Sequence, residues 1–169
     1  IEPGDASAHN NLGLAWQRAG RYEDSVREHR EALRLNPELA AAYYNLGNAQ
    51  FRLGQQAKDL DGMQEAWEMA AKCYQGAVAL DKSDRDVSYN LAFTRKCLDQ
   101  IEQLREAVKR AKTSADDAPR KRDYHRALQI MESLLQSNPA AKPLEEFTRK
   151  LQNIDGIVNP NQPALNQNP

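Results

Sequence analysis

Residues 9–37, HNNLGLAWQRAGRYEDSVREHREALRLNP, decide the fold. Leu12, Gly13 and Trp16 in the first half, and Ser25, His29 and Ala32 in the second, each fall on one face at helical spacing. Gly20 stands between the halves, where a left-handed C-cap costs least, and Asn36-Pro37 closes the second, because proline cannot donate to a helical ladder. The small Gly13 lets two antiparallel helices approach closely, so the stretch reads as a helical hairpin.

Working outward, the hairpin repeats. Ile1-Glu2-Pro3 and Leu35-Asn36-Pro37 lie 34 residues apart. Leu12-Gly13 recurs as Leu46-Gly47 and again as Leu91-Ala92, preceded by Asn11, Asn45 and Asn90. Tyr22, Ser25, His29 and Ala32 recur as Trp67, Ala70, Tyr74 and Ala77, then as Tyr124, Ala127, Met131 and Leu134, each set at i, i+3, i+7, i+10.

This pattern resembles the tetratricopeptide repeat (TPR) family, W-x2-L-G-x2-Y, then A-x3-F, then P. The first unit carries His9, Leu12, Gly13 and Trp16, then Ser25, His29, Ala32 and Pro37. The second carries Tyr43, Leu46, Gly47 and Gln50, then Ala70, Tyr74 and Ala77, with Lys82 in place of proline and eleven inserted residues. The third keeps Ser88, Leu91, Ala92 and Arg95, then Ala127, Met131 and Pro139 after an insertion of 23. The resemblance covers roughly residues 1–139 and implies an all-α, right-handed α-solenoid of antiparallel hairpins with an elongated third hairpin and a C-terminal capping helix.

Eleven residues make about three turns at ~3.6 per turn, so the insertion is expected to lengthen the second unit's helices, with a turn at Asp61-Gly62. An unbroken helix is expected from about Arg85 to Lys112, with Leu91, Leu98, Ile101, Leu104 and Val108 on its apolar side. Leu144, Phe147, Leu151 and Ile154 predict a capping helix opened by Pro143 and stopped by Gly156. The expected segmentation is 1–5 as the end of a preceding repeat, 6–39 and 40–84 as the first two units, 85–141 as the third, 142–156 as the cap and 157–169 as a flexible Asn/Gln/Pro-rich tail. Opening on Ile1-Glu2-Pro3, the chain is expected to be part of a longer array.

Composition narrows the function. The 169 residues are 40% apolar and 28% charged, mean hydropathy is −0.82 and formal net charge −1, which describes a solvated protein with thin apolar stripes. No run is apolar enough for a membrane span and no signal pattern opens the chain, so it reads as soluble, with a cytoplasmic setting favoured. Cys73 and Cys97 lack disulfide-framework and metal-type spacing. There is no HExxH, CxxC, Walker loop or GxSxG, so neither enzyme activity nor any cofactor is expected, and His9 and His29 occupy packing positions.

What remains is a second stripe on each first helix: Asn10, Leu14 and Gln17; Tyr44, Asn48 and Phe51; Tyr89, Phe93 and Lys96. Four aromatics off the intra-repeat core are candidates for a binding surface, with Asn45 and Asn90 beside them to pair with a peptide backbone. The resemblance implies that these faces line a concave groove holding a partner peptide or helix. It also offers a carboxylate clamp, whose five positions fall on Asn10, Leu14, Asn45, Asp86 and Asn90; only Asn45 matches, which disfavours that use. Charge is uneven, −4 over residues 1–84 and +3 over 85–169, with a basic arm at Lys109, Arg110, Lys112, Arg120, Lys121 and Arg122. The expected function is a protein-interaction scaffold. The alternatives are a nucleic-acid or acidic-surface adaptor using the arm over 105–126, which acids at Glu106, Asp116, Asp117 and Asp123 dilute, and an array that self-associates through its open first repeat.

Overall fold

The computed structural model describes residues 4–113, 118–137 and 143–160. Their regular structure is helical throughout: α1 (Ala6–Arg18), α2 (Tyr22–Leu35), α3 (Ala40–Gln56), α4 (Leu60–Leu80), α5 (Arg85–Thr113), α6 (Ala118–Ser137) and α7 (Pro143–Val158). The chain divides into two compact units, Ile1–Leu98 and Asp99–Pro169. The tail expected over 157–169 lies outside the described residues from 161 onward, as do Ile1, Glu2 and Pro3.

In the first unit each helix end is set by local chemistry. Asp5 Oδ1 accepts from the Ser7 and Ala8 amides at 2.8 and 3.1 Å, satisfying two free donors of α1. At the other end Gly20 has φ 73°, the Gly20 amide donates to the Gln17 carbonyl and the Arg21 amide to that of Trp16. That is the Schellman closure, and glycine adopts its left-handed residue without a Cβ clash. The links from α2 to α3 and from α4 to α5 use one device: Asn36 Oδ1 accepts from Glu38 N (3.1 Å), and Asp81 Oδ1 from Ser83 N (2.9 Å). Lys82 can therefore stand where Pro37 stood, because the side-chain turn survives without the ring.

The eleven-residue insertion is shared between two helices. α1 and α2 have 13 and 14 residues, α3 and α4 have 17 and 21, so four extend α3 and seven extend α4. The turn does not fall at Asp61-Gly62 as expected. It falls at 57–59, because Asp59 adopts an extended backbone and its carboxylate accepts from Gly62 N at 2.8 Å, which puts Asp61 and Gly62 in the first turn of α4.

Aromatic rings seated on glycines hold the hairpins. A Cβ at Gly13 would lie 2.5 Å from the His29 ring, and one at Gly47 would lie 2.6 Å from the Tyr74 ring. The lengthened helices add two more seats: Trp67 against Gly54 and Tyr43 against Gly76. Around them Ala70, Ala71, Tyr74, Ala77, Val87 and Leu91 form one buried cluster and Val26, Leu46, Ala49 and Cys73 another. The third repeat departs from this plan. Ala92, expected to match Gly13 and Gly47, is exposed together with Ser88 and Arg95; α5 instead buries Val87, Leu91, Thr94 and Cys97, the side that continues the α3–α4 core.

The second unit holds the end of α5 with α6 and α7. Ile101, Leu104 and Ala107 of α5 are buried, as are Ala127, Leu128, Met131 and Leu134 of α6. On α7 the expected stripe is displaced. Leu151 is buried but Ile154 is 37% exposed, while Thr148 and Asp155 are buried; the side chains of Leu144 and Phe147, like that of Val108, are outside the described residues. The displacement follows from a polar contact: the buried Asp155 carboxylate accepts from His125 Nδ1 at 3.2 Å and from Asn159 Nδ2 at 2.6 Å. Gly156 does not stop α7, which runs on to Val158.

Candidate functional site

The three stripes of the first helices meet in two different ways. At the N-terminal repeat they form a polar clasp. Asn45 Nδ2 donates to Asn10 Oδ1 at 3.0 Å, and Gln17 Nε2 donates both to the Asn45 carbonyl at 2.8 Å and to His29 Nε2 at 3.0 Å. Asn10 and Asn45 are buried and Gln17 is half-buried. Their amides are spent between the repeats, so Asn45, expected to pair with a peptide backbone, pairs with Asn10 instead; only Leu14 of the α1 stripe is half-exposed without a role in the clasp. Accepting from Gln17 keeps His29 Nε2 unprotonated, and burial lowers the ring's pKa from 6.5 to about 4 against the opposing charge of Glu28.

Toward α5 the stripes turn aromatic. Phe51 stacks on buried Trp67 (centroids 5.2 Å, 10° apart) and tilts against Phe93 at 5.9 Å, which stacks on Tyr89 at 6.3 Å and 13°. The column runs from full burial at Trp67 to 69% exposure at Tyr89. Beside it Tyr44 tilts against Tyr74 at 6.2 Å. The Tyr74 hydroxyl, its pKa pushed up by burial, donates to Asn48 Oδ1 at 2.8 Å. Asn90 Nδ2 reaches the same oxygen at 3.4 Å and the Tyr44 hydroxyl at 3.5 Å. Lys96 is exposed. Tyr74 was not among the expected site residues, yet it positions Asn48; its place 45 residues after His29, in the same register, was the signal for it.

Of the basic arm, Lys109 is exposed and lies 3.7 Å from Glu106, an i,i+3 pair of small worth in water. Arg110 and Lys112 fall within α5 and Arg120, Lys121 and Arg122 within α6, but their side chains are outside the described residues. Among the described residues no group of histidine, cysteine and carboxylate side chains could hold a metal. None of the described helices is long and apolar enough to cross a membrane.

Stacked helical hairpins with rings seated on glycines and a side-chain column left on the first helices define a helical-repeat protein. A model of the TPR repeat family matches residues 18–54, from the end of α1 through α2 and most of α3, so this stretch carries a TPR repeat. Repeats of this family mediate protein–protein interaction. No curated protein matches the chain.

Proposed function

We propose that this chain is a non-catalytic scaffold that binds a segment of a partner protein on the first-helix face of its N-terminal unit, at Leu14, Tyr44, Asn48, Phe51, Tyr89 and Phe93. The observation that carries the reading is the ring column, whose outer end, Tyr89, is 69% exposed while its inner end is locked on Trp67. Rings held in place by one another lose little entropy when a partner covers them, so their contact area converts efficiently into affinity. Asn48 and Asn90 are half-buried at the column's edge, where an extended segment could exchange backbone hydrogen bonds with them. A face of this size supports affinity near ~1 μM, about −8 kcal/mol.

The test replaces Tyr89 by the photo-crosslinking analogue benzoylphenylalanine and compares captured proteins with those of Tyr89→Ala/Phe93→Ala in the source cell. The expectation is a crosslinked protein partner whose non-covalent capture falls at least about tenfold in the double variant, as for truncated aromatic anchors. Undiminished capture by a variant with native circular dichroism would remove this face from the function.

A further inference from the structure

Charge in the first unit is sorted by helix. The first helices, α1, α3 and α5 up to Leu98, carry Arg18, Arg52, Arg85, Arg95 and Lys96 against the single carboxylate of Asp86. The second helices, α2 and α4, carry Glu23, Asp24, Glu28, Glu31, Asp61, Glu65 and Glu68 against four cations. The sorting extends to pairing. On the acidic side Arg27 pairs with Asp24 and Arg34 with Glu31 (2.7 Å), whereas among the described residues no ion pair holds Arg18, Arg52, Arg95 or Lys96, all of them exposed.

Two of these cations flank the ring column. Arg52 follows Phe51 directly and its charge reaches the Tyr74 hydroxyl that holds Asn48. Lys96 lies one helical turn beyond Phe93 and two beyond Tyr89, on the same face. Arg18 stands 34 residues before Arg52, in the same register of the preceding repeat. The face therefore offers an apolar anchor site rimmed by unneutralised positive charge.

We propose that the segment bound there is an acidic peptide, with an aromatic or aliphatic side chain against Tyr89, Phe93 and Phe51 and flanking Asp or Glu side chains facing Arg52, Lys96 and Arg18. This rests on the groove reading above and names its occupant. Complementary rim charge raises the association rate and rejects basic segments, while the rings supply most of the contact area. Three first helices at ~10 Å spacing span ~20 Å between the outer axes, the reach of about six extended residues, enough for one anchor and a few flanking carboxylates. A nucleic-acid strand fits less well, because the seven acids of α2 and α4 oppose a phosphate chain and only a few cations are available to release its counterions.

The experiment selects a displayed library of random short peptides on the full chain, in parallel on Arg52→Glu/Lys96→Glu and on Tyr89→Ala, each first shown by circular dichroism to be folded. The expected winners carry one aromatic or aliphatic residue among several Asp or Glu. Their Glu→Gln versions should bind about tenfold more weakly, as two or three exposed pairs acting together imply, and the charge-reversed variant should select Lys and Arg instead. Apolar winners without acidic enrichment, lost in Tyr89→Ala, would overturn the acidic occupant and leave the groove reading standing. No enrichment that depends on Tyr89 would overturn both. A uridine oligonucleotide that outcompetes the selected peptides, and is itself lost in Arg52→Glu/Lys96→Glu, would replace the acidic peptide with nucleic acid.

Discussion

Gly54→Ala tests whether rings seated on glycines hold the lengthened hairpin. A Cβ at Gly54 would lie 2.4 Å from both Cδ1 and Nε1 of Trp67 and 3.2 Å from the Met63 carbonyl oxygen, against ~3.5 to 4 Å for relaxed contact. The indole is fully buried, stacked on Phe51, and its Nε1 donates to the Phe51 carbonyl at 3.1 Å, so no direction of retreat is free. Overpacking of this kind costs ~1 to 3 kcal/mol and the strained hydrogen bond ~1 kcal/mol, while alanine's helix propensity returns ~1 kcal/mol. The net is a destabilisation of ~2 kcal/mol. It is read by urea unfolding in a Trp16→Phe background, where Trp67 fluorescence reports the first unit alone. Gly156→Ala, followed by circular dichroism of the whole chain because it lies in the second unit, is the control: it sits inside α7 with nothing within 4 Å of the added Cβ, so the same exchange should leave the protein equal or up to ~1 kcal/mol more stable. A Gly54→Ala protein as stable as the parent would refute the seating of Trp67 and the division of the insertion between α3 and α4.

Two further outcomes follow from buried titratable groups. The pKa of His29 is lowered from 6.5 to about 4, so between those values the unfolded chain binds a proton that the folded chain refuses; stability is complete above pH 6.5 and declines as pH falls toward 4, by up to ~1.4 kcal/mol per pH unit from this group. Titration of the His29 Cε1–H resonance should give a midpoint near 4, and a midpoint above 6 would place the ring in water rather than against Gly13. Burial pushes the thiols of Cys73 and Cys97 up to about 11, so neither should react with a disulfide reagent at pH 8 on the time scale of minutes, while both react fully in urea. Rapid labelling of the folded protein would contradict their burial.

Much of the fold is legible from the chain because its signals are local. Gly20 dictates a left-handed residue wherever it ends a helix, and the 34-residue return of Leu-Gly dictates that two hairpins present the same close-approach site. Gly54 shows where locality fails. It lies 34 residues after Gly20, yet the chain turns at one and continues as helix through the other. Either glycine can end a helix as a left-handed residue, and at Gly54 Trp67 arriving from α4 fills the space that a side chain would occupy. The turn at 57–59, by contrast, has a local cause: Asp59 captures the Gly62 amide as N-cap, so Asp61-Gly62 enters the first turn of α4 instead of making the turn.

The candidate site divides along the same line. Its register, with Tyr44 and Tyr89, Asn48 and Phe93, and Phe51 and Lys96 as paired positions, follows from helical periodicity and belongs to the sequence alone. Which of these side chains face water does not. Asn10, Gln17 and Asn45 hold the same stripe positions, or adjoin them, but are drawn into the clasp because His29, 12 residues beyond Gln17, supplies a buried acceptor between the repeats. Tyr74 occupies the equivalent place in the next repeat and donates through its hydroxyl to Asn48, leaving Phe51, Phe93 and Tyr89 to form the column. The sequence by itself determined the helices, their period and the all-α repeat, because those rest on spacing within a turn or two. Only the tertiary structure decided which face buries its amides and which exposes its rings, because each choice depends on a partner more than ten residues away whose size and hydrogen-bonding capacity no local pattern encodes.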